Sequence, residues 1–315
     1  MADQVSVDVG SGFTKYTNGK TEGAYPSLVC LMPTVRLFGA ENAETVEMEN
    51  VLYVVGDDAR AFGIADSKAN TLRDDWAGSP PWMALLYAAL VRLGVGSTID
   101  LVVGLPLALF DNKKDALVHS LQRRHHFKVR GKNYEIDINP TVVPQAVGAL
   151  FYKAWKDPRL LDDTFGVIDP GTYTTGYALL DHHRLIRNKS DGCAIGVSQV
   201  GAAVVQYIQV ACGFTPDTAN LHHILKNRSV RRRGEEIDVG DAIDTAVLTV
   251  AKPMLDRIHQ LWSGGNEHLI FIAGGGAHVF LKAIQTILPH ATPLPENEAF
   301  FAVARGMHQY LIGQA

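Results

Sequence analysis

A nine-residue pattern occurs twice in this chain, and the two copies lie about half the chain length apart. Both copies read D-x-G-[S/T]-x-x-T-x-Y. The first begins at Asp8 and the second at Asp169, and they align without a gap. An apolar run precedes each copy, which predicts a buried strand that ends in a carboxylate, then a tight turn and a returning strand. An ungapped repeat at this spacing predicts two related halves, each with one such hairpin.

The residues of each turn suit the binding of a phosphate group. Small residues allow backbone N–H groups to approach an anion closely, and the hydroxyl groups add donors. We expect Asp8 and Asp169 to hold Mg²⁺ through its water molecules, because Mg²⁺ releases water reluctantly. The other candidate ligands are Gly10, Ser11, Gly12, Phe13, Thr14 and Lys15 in the first turn, and Gly171, Thr172, Tyr173 and Thr174 in the second. Lys15 would be the counter-charge, with an exposed strand lysine as the alternative.

A single hairpin of this kind is more often a simple strand turn, and it is the second copy that favours a binding site. The sequence has neither the G-x-x-x-x-G-K-[S/T] loop nor a G-x-G-x-x-G that opens a helix, so P-loop and Rossmann sites are not predicted. Strands alternate with helical patterns through both halves, which predicts an α/β protein.

Composition limits the partners and the cellular location. The net charge of −4 argues against direct contact with nucleic acid, because such proteins are more often basic. The three cysteines are scattered and odd in number, which favours neither a disulfide framework nor a zinc site and fits a reducing cytoplasm. The first residues lead directly into a strand, and no apolar segment reaches the length of about 20 residues that spans a bilayer. We therefore expect a cytoplasmic protein without membrane contact.

The chain divides at a polar break into residues 1–160 and 161–315. The first part is expected to contain a small inserted subdomain at about 33–78, and the second a helical insertion at about 188–262. A closing helix at 298–312 is expected to pack back on the first lobe, because it lacks the lysine-rich face of a membrane-surface helix.

Local patterns predict two further helices and a glycine-rich turn. Near-helical apolar spacing predicts a helix from Asn112 to His126. The segment from Pro144 to Ala149 opens a second helix that runs to about Trp155, and Gln145 on its own is an ordinary polar residue at a helix start. Gly274, Gly275 and Gly276 follow a buried strand and precede a helix, where a glycine run is usually a plain turn.

Taken in order, these motifs resemble those of the actin-like ATPase superfamily, and within it the bacterial plasmid-segregation actins of the ParM/StbA type. The two phosphate loops of the family match residues 8–15 and 169–175, and its adenosine loop matches 273–277. The helix that bears its water-positioning residue matches Gln145. The resemblance implies a duplicated, ribonuclease H-like fold of two lobes with a nucleotide cleft between them.

The resemblance also implies roles for single residues. Asp8, Gln145 and Asp169 would be catalytic, and the three glycines of the adenosine loop would contact the nucleoside. The implied cofactors are ATP, with GTP left open, and Mg²⁺. Two departures concern these roles: Gly176 stands where relatives carry a second acid, and position 145 is Gln where several have Glu. Glutamine cannot act as a base, so it would orient water by hydrogen bonding.

The function implied by the resemblance is slow ATP hydrolysis coupled to assembly of a homopolymeric filament. Head-to-tail contacts between identical subunits produce open filaments. Such a filament would segregate plasmid DNA through a DNA-binding adaptor protein at a centromere-like site. Two alternatives stay open: a nucleotide-binding scaffold that does not polymerise, and a small-molecule kinase, although we find no sugar-binding motif.

Overall fold

Two sheets with the same core arrangement of strands form the framework of the protein. The structure is a computed structural model that describes residues 2–32, 42–62, 75–217, 221–262 and 268–314. Much of the segment predicted as a small insertion, at about 33–78, lies outside these residues.

The larger sheet is built from the first half of the chain. Its described strands are β1 (Asp3–Val9), β2 (Phe13–Thr17), β3 (Glu22–Pro26), β4 (Val29–Leu31), β5 (Thr45–Met48), β6 (Val51–Val55), β7 (Thr98–Leu105), β8 (Arg124–Val129) and β9 (Lys132–Pro144). They lie in the order β3-β2-β1-β7-β9-β8-β5-β6-β4. Strand β1 is antiparallel to β2 and parallel to β7, and β7 is parallel to β9.

The second sheet is built from the second half. Its described strands are β10 (Thr164–Pro170), β11 (Thr175–Asp181), β12 (Arg184–Leu185), β13 (Asp191–Cys193), β16 (Leu269–Ile272) and β17 (Thr292–Pro293). Their order is β12-β11-β10-β16-β17, and β13 also pairs with β11. Strand β10 is antiparallel to β11 and parallel to β16, which is the relation of β1 to β2 and β7. The duplicated sequence pattern therefore corresponds to a duplicated topology, and the predicted α/β fold is confirmed.

Helices flank both sheets. In the first half they are α1 (Asp57–Ala61), α2 (Pro80–Leu93), α3 (Leu107–Leu121) and α4 (Gln145–Lys156). In the second half they are α5 (Val197–Cys212), α6 (Leu221–Asn227), α7 (Gly240–Trp262), α8 (Ala277–Gln285) and α9 (Glu296–Gln314), with a small hairpin of β14 (Ser229–Arg232) and β15 (Glu235–Asp238) between α6 and α7. None of the described helices is both long and apolar enough to cross a bilayer.

The chain forms two compact units. Unit 1 contains Met1–Leu160 and Phe301–Ala315, and unit 2 contains Leu161–Phe300. The greater part of α9 therefore belongs to the same unit as the first half of the chain. Each unit has its own apolar core, in which the strand that carries the repeated pattern is buried, and both strands place their aspartate at the end that leads into the turn.

The helix predicted from Asn112 to His126 is present, but its predicted bounds are wrong. Helix α3 begins earlier and ends at Leu121, and Arg124 already belongs to β8. Buried and exposed side chains alternate from Arg124 to Val129, which is the period of a strand, and this strand pairs along its whole length with β9. Non-local pairing therefore overrides the weak helical spacing at the end of the predicted helix.

Candidate functional site

The two hairpin turns have the same local backbone arrangement. A Cβ atom built on Gly10 would lie 2.9 Å from the carbonyl oxygen of Phe13, and one built on Gly171 would lie 3.0 Å from that of Thr174. The residues of these two close approaches occupy matching positions in the repeat. A Cβ atom this close to a backbone carbonyl would force the turn to shift, so glycine is favoured in both turns for the same steric reason.

The carboxylate of Asp8 is held on both of its oxygen atoms. Asp8 is 3 % exposed, and its side chain faces those of Lys15 and Gln145. The Lys15 Nζ atom lies 3.3 Å from Oδ2, and the Nε2 group of Gln145 donates a hydrogen bond of 2.8 Å to Oδ1. A buried carboxylate needs such partners because it has lost its water. The structure thus brings three of the predicted site residues into contact.

Gln145 reaches Asp8 across an intervening strand. It is the first residue of α4, directly after β9, and β7 separates β9 from β1. A Cβ atom built on Gly104, in β7, would lie 2.6 Å from the Gln145 Cγ atom. The missing side chain of Gly104 therefore leaves the space through which Gln145 extends. Gly104 is not among the residues predicted from the sequence, although a glycine inside an apolar strand is a known sign of a close approach.

The repeated threonine of each pattern copy links its hairpin to a later segment of the chain. The hydroxyl of Thr14 forms a hydrogen bond of 2.9 Å with that of Ser27, and the hydroxyl of Thr175 donates to the carbonyl of Ile195 at 2.7 Å. Both threonines are 0 % exposed. The side chain of Thr14, a predicted phosphate ligand, is therefore placed in the core.

The hydroxyl-bearing residues of the turns are placed differently. Ser11 and Thr172 occupy matching positions and are half-buried. Within the described part of the chain, neither side-chain hydroxyl has a hydrogen-bond partner. These two hydroxyls are therefore available to a ligand. The N–H group of Gly171 is not, because it donates to the carbonyl of Thr174 at 2.7 Å.

The second turn is tied to the start of α5. The N–H group of Val197 donates to the carbonyl of Gly171 at 3.1 Å, and that of Ser198 donates to the carbonyl of Thr172 at 2.8 Å. A Cβ atom on Gly196 would lie 2.6 Å from the carbonyl oxygen of Thr172. The turn thus directs these two carbonyls at the helix N-terminus, where the unsatisfied N–H groups and the positive end of the helix dipole lie.

The glycine loop after β16 packs directly on the second turn. Gly274 has a φ of +79°, and a side chain there would overlap the carboxylate of Asp169. The N–H group of Gly276 donates to the carbonyl of Pro170 at 2.8 Å, whereas Gly275 is exposed. The predicted adenosine loop and the second predicted phosphate turn are therefore neighbours within unit 2.

The tyrosine that ends each copy of the pattern is buried in the core of its unit. Tyr16 and Tyr177 are 8 % and 1 % exposed. Burial raises the pKa of Tyr177 to about 12, so its hydroxyl stays protonated at neutral pH. Its ring packs edge-on against Trp262 with the centroids 6.2 Å apart. Within the described ranges, no cluster of three or more His, Cys, Asp or Glu side chains is arranged to hold a metal ion.

Comparison with known proteins assigns both parts of the chain to the same group. Residues 6–148 match the family model of the N-terminal domain of actin-like proteins. Residues 167–286 match the model of the C-terminal domain of the archaeal actin homologue that resembles MreB. No curated protein sequence matches the chain significantly.

Solved structures with the same fold include archaeal and bacterial proteins. The crystal structure of an archaeal actin homologue has a TM-score of 0.83 and 19 % identity over 100 % of both chains. Its complex with ADP has a TM-score of 0.78 at the same identity and coverage. The ParM subunit of a 15-stranded filament from Clostridium botulinum has a TM-score of 0.80 and 23 % identity over 99 % of this chain and 100 % of that one.

At these identities the structural likeness shows the fold, whereas the two family models together span both halves of the repeat. The family models, the matched topology of the two sheets and the matched turns agree, and the chain belongs to the actin-like ATPase superfamily.

Proposed function

We propose that this protein is a nucleotide-dependent ATPase that assembles into filaments and segregates plasmid DNA through an adaptor protein. The observation that carries the proposal is the pair of matched turns. Each has an aspartate at the strand end, a glycine against a backbone carbonyl, and a hydroxyl without a hydrogen-bond partner among the described residues. Unit 1 would contribute Asp8, Lys15 and Gln145 to the nucleotide site. Unit 2 would contribute Asp169 and the adjoining glycine loop.

The residues of both turns fit a nucleotide with its magnesium ion. The carboxylates of Asp8 and Asp169 are oxygen ligands of the kind that Mg²⁺ prefers, directly or through water. The hydroxyls of Ser11 and Thr172 have no protein partner within the described residues and would donate to phosphate oxygens. Lys15 would neutralise part of the phosphate charge. Bound Mg²⁺ would supply further charge neutralisation of the phosphates.

Gln145 is the residue that we assign to the positioning of water. A carboxylate only accepts hydrogen bonds, so the NH₂ side of the Gln145 amide must face Asp8. Its carbonyl oxygen is then left as an acceptor for a water molecule. Because an amide does not take up a proton at neutral pH, Gln145 would orient the water without acting as a base, and we expect slow hydrolysis.

Two arguments support assembly and the DNA-linked role. The fold is shared with a ParM whose structure was determined as a filament, and head-to-tail contacts between identical subunits extend without closing. The sequence resembles plasmid-segregation actins, and its net charge of −4 favours an adaptor over direct contact with DNA.

The test is to mix the purified protein with Mg²⁺ and either ATP or GTP and to follow phosphate release and light scattering. We expect scattering to rise above a critical protein concentration and to fall after the nucleotide is consumed. Asp169→Ala should abolish both signals. Asp181→Ala is the matched control, because Asp181 is a half-buried carboxylate at the far end of the same hairpin.

Other outcomes would replace the proposal. Stoichiometric nucleotide binding without hydrolysis or pelleting would indicate a scaffold, and phosphate transfer to a sugar would indicate a kinase. Failure to bind either nucleotide would contradict all three functions. The DNA-linked role has a separate test: a replicon that carries the Asp169→Ala gene should be lost from dividing cells faster than one that carries the unaltered gene.

A further inference from the structure

We infer that α9 positions Gln145 through Met307, so that a residue of the closing helix determines whether the amide reaches Asp8. The inference rests on the proposed function, because Gln145 is assigned there to hydrolysis. It concerns residues of unit 1 alone.

Met307 occupies the space beside Gln145. It is 0 % exposed. A Cβ atom built on Gly104 would lie 2.6 Å from the Cγ atom of Gln145 and 3.2 Å from the Sδ atom of Met307. A Cβ atom built on Gly148, one turn farther along α4, would lie 3.0 Å from the Met307 Cγ atom. The Met307 side chain therefore extends from the first turn of α4 to the open position on β7, and it fills the space into which Gln145 could otherwise move.

The two helices touch through their backbones at this point. A side chain on Gly306 would overlap the carbonyl of Gly148 and would lie 2.6 Å from the backbone nitrogen of Tyr152. A Cβ atom on Gly148 would in turn lie 2.9 Å from the carbonyl oxygen of Val303. Since no side chains separate the backbones here, α9 cannot come closer to α4, and the position of Met307 follows from the crossing of the helices.

Two contacts fix the position of α9 against the sheet that carries Asp8. The guanidinium of Arg305 forms two hydrogen bonds, of 2.9 and 2.6 Å, with the carboxylate of Glu22 on β3. The Nε2–H group of His308 donates to the carbonyl of Gln4 on β1 at 3.2 Å. Met307 is the neighbour of His308 in sequence. The same helix thus contacts the strand that bears Asp8 and the helix that bears Gln145.

The physical reason for a positioning role is the freedom of the glutamine side chain. Gln145 is half-buried, and it is the first residue of its helix. Its long side chain has several rotamers, and a misplacement of about 1 Å can cost about a hundredfold in rate. Filling the neighbouring space with Met307 removes the alternatives without adding a polar contact that would compete with Asp8.

The test compares Met307→Ala with Met307→Leu, which roughly conserves volume. Leu311→Ala is the matched control, because Leu311 is a buried residue one turn farther along α9. We expect Met307→Ala to lower the single-turnover rate of ATP hydrolysis about tenfold or more while the affinity for a fluorescent ATP analogue changes less than about twofold. Met307→Leu should restore most of the rate, and Leu311→Ala should leave it near that of the wild type.

A second readout does not depend on activity. The side-chain amide resonance of Gln145, assigned by its absence in Gln145→Ala, should shift or broaden in Met307→Ala and stay in place in Leu311→Ala. If Met307→Ala does not fold, Met307→Val is used in its place, because it also removes the Sδ atom that lies beside Gly104.

The outcomes separate the inference from the proposed function. Equal losses of rate in Met307→Ala and Leu311→Ala, or an unchanged Gln145 resonance, would overturn the inference and leave the ATPase in place. A wild-type protein without hydrolysis would overturn the proposed function, and the Gln145 resonance would still decide whether Met307 positions the amide.

Discussion

At the scale of single residues, the site is organised around a negative charge that has lost its water. The side chain of Asp8 is 4 % exposed, and its compensation comes from the ammonium group of Lys15 and the amide of Gln145. Taking a carboxylate out of water costs several kcal/mol, so the contacts of Asp8 bear on stability as well as on ligand binding.

The contribution of the Lys15–Asp8 ion pair to the free energy of unfolding can be measured without any ligand. We expect Lys15→Met to lower the free energy of unfolding by about 3 kcal/mol, because the Asp8 charge would lose its cationic partner. Asp8→Asn in the same background should recover part of the loss, because it removes the charge. Lys128→Met is the control, since Lys128 pairs with Glu47 at 2.8 Å in a much more exposed position and should cost less than about 1 kcal/mol. Urea denaturation of the four proteins would measure these differences, and equal losses for the two lysine variants would contradict the prediction.

The turn glycines give a second prediction at this scale. We expect Gly10→Ala and Gly171→Ala each to weaken nucleotide binding about tenfold or more, because the added methyl group would push a backbone carbonyl and reshape the turn. Titration with a fluorescent nucleotide would measure the affinity. Gly313→Ala serves as the control, since a Cβ atom there has open space around it. An unchanged affinity in both turn variants would show that the turns do not bind the nucleotide.

How far the sequence predicts the site depends on how far apart in the sequence its residues lie. The turns were predictable because Asp8, Gly10 and Ser11 are neighbours in sequence and recur half a chain later. The role of Gln145 came from the family resemblance, and its contact with Asp8 depends on the order of β1, β7 and β9. Gly104 could be recognised as a site of close approach, but the residue that passes over it could not be predicted, because a glycine in a strand carries no local signal for that residue.

At the scale of elements, α9 joins the hairpin and α4 through a row of buried residues. One of them, His308, is 4 % exposed and donates to the carbonyl of Gln4. Burial lowers the pKa of His308 below its ordinary value of 6.5. The docked helix therefore favours a neutral imidazole.

This burial predicts how stability changes with pH. As the pH falls below 6.5, the unfolded chain takes up a proton at position 308 that the folded protein does not. The free energy of unfolding therefore decreases as the pH falls from the unfolded pKa to the lower folded pKa, and this contribution is complete below the folded value. Urea denaturation between about pH 7.5 and pH 5.5 should show a smaller loss for His308→Gln than for the wild type.

The pKa of His125 is also lowered by burial, so His125→Gln should reduce the same loss independently. Identical pH dependence in the wild type and both variants would refute the assignment of neutral, buried histidines.

The elements themselves were predictable to different degrees. Helix α2 has local signals at both ends: Ser79 caps its first turn, Pro80 is its first residue, and Gly94 ends it in the left-handed conformation. Strand β8 has no such signals and depends on its pairing with β9. A helix predicted from apolar spacing alone therefore includes residues that form a strand, because pairing with β9 holds them in the extended conformation.

At the scale of the whole molecule, one of the two units is discontinuous in sequence. Unit 1 takes residues from both ends of the sequence, and unit 2 takes the continuous stretch between them. The returning segment contributes Ala302, Val303 and Met307 to the buried residues, each 3 % exposed or less. Its loss should therefore weaken one unit and spare the other.

Truncation after Phe300 tests this asymmetry. Trp82 in unit 1 and Trp262 in unit 2 are each 1 % exposed and can report on their own surroundings once the other tryptophans are replaced by phenylalanine. We expect the truncated chain to show a lower midpoint of thermal unfolding at Trp82 and an unchanged one at Trp262, because the removed residues belong to unit 1 and contribute to its buried apolar area. A parallel shift at both tryptophans would mean that the units unfold as one.

The split arrangement of unit 1 has a consequence during synthesis. A ribosome releases the early strands first, then all of residues 161–300, and α9 last. The part of α4 around Gly148 therefore stays without its partner helix while residues 161–300 are translated and fold. A chaperone that binds exposed apolar surface would therefore have the longest time to act on the first half of the chain, which is made first and completed last.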